Sequence, residues 1–393
     1  MLEKCKRAGI LTLMVAALLG VVSQASAAET YSGYHYNEWD ESVPTPNGYL
    51  VQDTVRGEEL ESSAWLAPKD LYVYNNMIYL LDSGNNRIVI MDENFSVKQV
   101  LDTFSREGDP YQLNAPSGIY VADKNTIVIA DTGNAAVVVC DGNGIISMML
   151  TKPESALFPQ NHEFKPTRVL KDAIGNYYAV IEGLYYGAVC YNSQGEFTGF
   201  FGSNEVKVTA SVLLNHFWKR FMSNEQISYT ENVVPVGYSS FDIDEENFIY
   251  TSTNQITLSE NEIRKLDPSG KNILPDGDFG DLEYMVYKSS ILDTSFVDIC
   301  VDEDGYIYGL DVTRGRIFQF DEEGNKIFIF GGQGLQEGTF KTPTAVDTLG
   351  KRVLVLDAGK NSLTVFERSA FGKSVDQALQ LFNEGLYDEA RDP

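Results

Sequence analysis

Four stretches of this chain repeat one pattern, and that pattern limits the folds open to it. Residues 78–92 read IYLLDSGNNRIVIMD, 127–141 IVIADTGNAAVVVCD, 307–321 IYGLDVTRGRIFQFD and 353–367 VLVLDAGKNSLTVFE. Each sets two apolar, β-prone runs around a tight turn. The Asp of the turn can bond nearby amides, and its Gly or Asn tolerates a positive φ. Two weaker copies lack the acid, with Ile181-Glu182-Gly183 in one and Thr253-Asn254 in the other. The turn position therefore recurs at Asp82, Asp131, Ile181, Thr253, Asp311 and Asp357, at spacings of 49, 50, 72, 58 and 46 residues. Six units of this length point to a ring or solenoid of small sheets.

Each unit has four parts. A Pro-led strand comes first, at Pro68, Pro116, Pro166 and Pro343, and the Asp-turn hairpin follows. A polar turn such as Asp141-Gly-Asn-Gly or Asp321-Glu-Glu-Gly then leads to a last strand, which ends in Phe-Gly at Phe201-Gly202 and Phe330-Gly331. Four-stranded units with short polar turns suit an all-β, six-bladed β-propeller. A β-sandwich would not explain the fixed order of turn types. The sixth unit runs out of strand-like sequence after Phe366, while residues 49–56 (YLVQDTVR) alternate without a partner. The expectation is that this early segment supplies the missing outer strand and closes the ring.

The hairpin core Asp82-x-Gly84-Asn85-Asn86-Arg87-Ile88 resembles the NHL repeat, and residues 49–368 are similar to exported bacterial NHL-repeat propellers, some labelled gluconolactonase-like. The resemblance implies a propeller that serves as a binding platform, with enzymes among its relatives. Residues 378–390 (ALQLFNEGLYDEA) resemble the first helix and turn of a tetratricopeptide repeat. Such a unit needs neighbours to bury its apolar face. Either the native chain continues past Pro393 or this tail docks on the propeller.

The start of the chain reads as an export signal. Lys4, Lys6 and Arg7 precede an apolar run over residues 8–22, and Ala25-Ser26-Ala27 offers a cleavage site. Cleavage after Ala27 is expected; a retained anchor is the alternative, though the run is short of the ~20 residues of a full span. The expected product is secreted or associated with the cell envelope. Loss of residues 1–27 moves the net charge from −26 to −28. So acidic a protein should repel nucleic acid and anionic membranes. Cys140, Cys190 and Cys300 then remain, an odd count set in apolar strands, which reads as buried thiols rather than a disulfide framework or metal site.

The expected layout is thus a signal peptide at 1–27, an aromatic leader at 28–48, the propeller at 49–368 and a helical tail at 369–393. The leader carries Tyr31, Tyr34, Tyr36 and Trp39, which could stack on sugars or pack on the propeller itself. A helical insertion at 204–235, between blades three and four, presents Phe217, Trp218 and Phe221 on one face, as a docked helix, a partner-binding one or one lying on a membrane surface.

Aligning the first strand of each unit puts Asp70, Gly118, Arg168, Ser240, Asp298 and Ala345 at one level of the central channel. Asp70, Arg168, Ser240 and Asp298 are the ligand-binding candidates. No His-Glu-x-x-His, Gly-x-Ser-x-Gly or phosphate loop is present, and His35, His162 and His216 do not converge in sequence. No catalytic or metal-binding residue is assigned, and no cofactor is expected. The sequence therefore favours a non-catalytic propeller that binds a protein or carbohydrate at a face or at the channel mouth. The alternative is a divalent-metal-dependent lactonase or related hydrolase, for which Ca2+ would need oxygen donors from several blades.

Overall fold

A computed structural model describes residues 30–37, 39, 41–202, 237–254, 261–281, 285–287 and 290–391. The signal segment and the insertion with Phe217, Trp218 and Phe221 lie outside these residues.

Six sheets form the blades of the fold, with smaller two-stranded sheets outside them; each blade begins at the hub with a first strand and adds antiparallel neighbours outward. Their first strands are Asp70–Tyr74, Gly118–Asp123, Pro166–Lys171, Tyr238–Ile243, Phe296–Val301 and Pro343–Leu349. Each of these packs against the next, and the sixth packs against the first, so the ring is closed. Blades one, two, three and five have four consecutive strands. Blade two is extended by the hairpin Phe104–Arg106 and Asp109–Tyr111. Blade four shows three strands among the described residues.

Closure occurs where the sequence places it. Tyr49–Arg56 pairs antiparallel with Ser362–Arg368 and becomes the outer strand of blade six. Tyr49 is fully buried there, stacked on Phe330 at 4.2 Å between ring centroids. Its hydroxyl lies 3.1 Å from that of Tyr308 in blade five. The Arg368 guanidinium sits 4.4 Å from the Tyr49 ring centroid. It donates to Gln319 Oε1 at 2.9 Å and pairs with Asp376 at 2.8 Å.

Asp376 belongs to the tail helix α1, Ala370–Asn383. Ser369 caps α1 by accepting from the Gly372 amide at 2.9 Å, and its hydroxyl donates to the Asn47 carbonyl at 2.6 Å. A side chain at Gly372 would sit 2.2 Å from the Gly48 carbonyl oxygen, so glycine permits this close approach. The start of the tail is thus docked on the start of the closing strand. Further along, Phe382, Leu386 and Tyr387 are exposed.

The repeated Asp explains itself. Asp82, Asp131, Asp311 and Asp357 are wholly buried, and each accepts amide hydrogens from the loop that leads into its own blade. The donors are Leu66 to Asp82, Asn114 to Asp131, Ser295 to Asp311, and Lys341 and Thr342 to Asp357. A buried carboxylate so satisfied pins the loop to the hairpin. Four residues on, each turn holds a left-handed residue: Asn86, Ala135, Gly315 and Asn361, with φ of 53°, 53°, 64° and 51°.

The polar turns Asp302 and Asp321 accept amides two and four residues later, as turns rather than cation loops do. Apolar cores lie in the seams between neighbouring blades. Leu71, Leu80, Leu354 and Leu363 join blades one and six; Phe296, Phe318, Tyr250 and Ile263 join blades four and five.

Two outcomes test this description. Deleting residues 30–56 exposes a bare strand edge and the Tyr49 pocket, and should abolish cooperative thermal unfolding; a transition close to the parent's would contradict the closure. Ala135 bears left-handed strain that Asn tolerates, so Ala135→Asn should raise the unfolding free energy by about 0.5–1 kcal/mol in urea titration.

Candidate functional site

The hub brings the four candidate residues together. Each comes from a first strand, where side chains alternate between the channel and the neighbouring backbone. Arg168 reaches across the axis from blade three. Its Nε donates to Ser240 Oγ at 3.2 Å and to Asp298 Oδ1 at 3.4 Å, and lies 4.0 Å from Asp70 Oδ1. Nη1 donates to the Ser117 and Thr167 carbonyls at 2.9 and 3.2 Å, and Nη2 to the Thr344 carbonyl at 3.0 Å. Ser240 Oγ donates to Asp298 Oδ1 at 2.6 Å. Blade two offers no side chain at this level, because a Cβ on Gly118 would come within 2.6 Å of the Thr167 carbonyl oxygen and 2.9 Å of Arg168 Cα.

Two residues along each strand lies a second level: Tyr72, Tyr120, Leu170, Asp242, Cys300 and Asp347. Sequence reading stopped at the first level and so missed Asp242 and Asp347, although their strand alternation was there to find them. Four carboxylates then follow one rule, each accepting an amide hydrogen from the next blade. Asp70 takes Ile119 N at 2.8 Å, Asp242 takes Val301 N at 2.9 Å, Asp298 takes Val346 N at 2.8 Å and Asp347 takes Val73 N at 2.6 Å. The cavity enclosed by the two levels is about 30 Å³, room for about one water molecule.

Burial dominates the hub's acidity. It pushes the Asp242 carboxyl up to about 7 against the Val301 and Ile243 amides, with Asp298 adding to the rise. Asp347 is raised well above the usual range by burial and by Asp242. Asp70 and Asp298 are also raised by burial, with Arg168 opposing the rise in both. Burial likewise pushes the Cys300 thiol well up, which removes it as a nucleophile.

The hub donors do not suit a Ca2+ site. The Asp70 and Asp298 oxygens already accept amide, Ser240 or Arg168 hydrogens, and the cation present among them is a guanidinium. Among the described residues no group of three or more His, Cys, Asp or Glu side chains is arranged to hold a metal ion. His162 lies beside the Glu182 carbonyl at 2.9 Å, and His35 is in the leader; neither reaches the hub. No helix among the described residues is long and apolar enough to cross a membrane.

A second site lies outside the hub, where the leader meets blade five. The leader forms a hairpin, Tyr34–Tyr36 with Ser42–Pro44, packed against Lys326–Gly331. Asp281, nearly fully buried, gathers the contacts. It accepts from Tyr34 at 3.1 Å and from Tyr36, and pairs with Arg314 at 2.8 Å and with Arg316. The Arg316 guanidinium carbon lies 4.7 Å from the Tyr34 ring centroid. Burial and Asp281 raise the Tyr34 phenol, so it stays a neutral donor.

Beside this cluster runs a groove of about 580 Å³ whose lining includes Tyr31, Tyr34, Arg314, Arg316, Gln333 and Thr339. The aromatic leader was legible in the sequence, whereas the two arginines were not singled out. Their signal is the blade-five turn Val312-Thr-Arg-Gly-Arg316, which departs from the Gly-Asn turns of blades one and two. Arg87 occupies the register of Arg316 in blade one and turns back to its own Asp82 at 2.8 Å. Arg316 turns instead to Asp281.

No known protein family matches the chain, and no curated protein does either. Solved structures similar to it include selenomethionine-substituted virginiamycin B lyase from Staphylococcus aureus, at 8% identity and a TM-score of 0.49, over 82% of this chain and 100% of that one. A protein of unknown function from Bacteroides thetaiotaomicron shows 13% identity and a TM-score of 0.49, over 84% and 80%. XC5397 from Xanthomonas campestris, described as a gluconolactonase, shows 12% and 0.48, over 83% and 97%. Each is a likeness of fold. The six-bladed ring itself rests on the strand pairing above.

The hub chemistry has a pH signature. Asp242 binds its proton more tightly folded than unfolded, so stability attributable to it is present at acid pH and falls as pH rises from the ordinary Asp range, near 4, through about 7. The urea midpoint should therefore be higher at pH 5.5 than at pH 8, and Asp242→Asn should flatten that slope. An unchanged slope in the variant would contradict the assignment.

Proposed function

We propose that this chain is an exported, non-catalytic binding propeller of the NHL type, secreted or held at the cell envelope, that engages a protein or glycan ligand at one face of the ring. A tetratricopeptide-like role for the tail belongs to the same proposal. The observation that carries it is the saturation of the hub. Arg168, Ser240, Asp70 and Asp298 bond one another and the surrounding backbone around a cavity of about 30 Å³. Those bonds run from blade to blade, so the polar hub acts as a bolt for the ring. Recognition is then left to what the ring carries on its faces: loops, the leader hairpin and the tail. The reading needs no cofactor and no nucleic acid. Its acidic balance of 56 Asp+Glu against 30 Lys+Arg agrees with the latter.

Calcium titration by calorimetry, with thermal unfolding alongside, separates this reading from a metal-dependent lactonase. The expected result is no stoichiometric heat and no shift of the unfolding midpoint. Stoichiometric Ca2+ binding lost in Asp70→Asn or Asp298→Asn, together with lactone hydrolysis dependent on the metal, would replace the binding propeller by the enzyme.

A further inference from the structure

We infer that the groove between the leader hairpin and blade five is a binding site for an anionic saccharide, held by Arg316. The inference rests on the binding-propeller reading and names its ligand class. The groove measures about 580 Å³, within the ~300–1,000 Å³ of small-ligand sites. Its lining holds two arginines and no carboxylate, in a chain whose formal net charge is −26. The acid that pairs with the two arginines, Asp281, is buried beside the groove and does not line it.

Arg316 is only partly engaged. Its Nη1 reaches Asp281 and the Tyr34 hydroxyl, while Nε and Nη2 have no protein hydrogen-bond partner among the described residues. Its side chain is 22% exposed. A guanidinium fixed at one nitrogen and open at the others is arranged to take a carboxylate or sulfate oxygen. Its contact with the Tyr34 ring holds its plane without consuming those donors.

The remaining lining narrows the class. Tyr31 and Tyr34 line the groove with rings, and Ser32, Ser42 and Thr339 with small polar side chains, a surface that suits a hydroxylated ring better than an acyl chain or a run of apolar peptide side chains. An acidic peptide shares the charge but lacks the ring hydroxyls. The leader and blade five must both be present for the groove to exist, and Asp281 joins them through Tyr34, Tyr36, Arg314 and Arg316.

The test is calorimetry on the whole propeller with its leader, using four probes: a galacturonate tetramer, a sulfated galactose tetramer, a neutral galactose tetramer and tetraglutamate. The expected result is that at least one anionic sugar binds, and that the neutral sugar and the peptide bind about tenfold or more weakly by comparison. Which anionic sugar binds tells carboxylate from sulfate. Arg316→Gln should weaken that binding about tenfold or more, and so should Gln333→Glu, which adds a charge to the lining without removing a described contact. Gln333→Glu should keep the parent's unfolding midpoint, which separates lost binding from lost fold. Equal binding of neutral and anionic sugars, stronger binding of the peptide, no binding of any sugar, or parental affinity in both variants would overturn the inference. The calcium titration at the hub is independent of this groove, so the site can fail while the binding propeller stands.

Discussion

A ring of sheets is stable only if no seam is left open, and here the last seam is made by the pairing of Tyr49–Arg56 with Ser362–Arg368. An unpaired strand edge would present amides and carbonyls without partners and would uncover the apolar face of blade five. Closure removes both problems in one step. Tyr49 fills the junction between blades five and six, and Arg368 covers its ring while reaching Gln319 and Asp376. The same junction receives the cap of the tail helix through Ser369. Both ends of the described propeller are therefore tied at one place.

The hub repeats this logic in polar terms. The first strands carry carboxylates whose oxygens face the next blade's amides, so each hydrogen bond also sets the angle between two sheets. Four buried acids at the hub, two of them beside Arg168, would repel strongly if all were ionised, and burial resolves the conflict by raising their pKa values. A hub of this kind ties neighbouring blades together around a cavity of about 30 Å³. The periphery carries elements outside the repeat. The leader hairpin and the blade-five turn meet at Asp281 and form a groove that the repeat does not require.

Most of the ring was legible because its signals are local. Alternating apolar residues, a turn acid and a left-handed residue recur within fifteen-residue windows, and the same windows became strands in the structure. Even the closing strand could be read, since an alternating segment without a partner at one end matches a missing strand at the other. The level of Asp70, Arg168, Ser240 and Asp298 followed from aligning first strands. What that alignment could not convey was occupancy: whether those groups face open space or bond one another. Arg168 meets residues 72 and 130 positions away at Ser240 and Asp298, and no local pattern encodes such contacts. Arg314 and Arg316 escaped for a related reason. Their partner Asp281 lies 33 and 35 positions earlier, in a connection that follows no repeat.

The sequence by itself determined the number of blades, the order of strands within them and the place where the ring closes. These depend on periodicity, turn chemistry and the count of strands, all of which are written along the chain. Only the tertiary structure decided that the hub acids act as latches between neighbours, and that the leader and blade five enclose a basic groove. Those outcomes depend on which distant groups converge when the ring closes, and on burial, which sets the charge a carboxylate can carry.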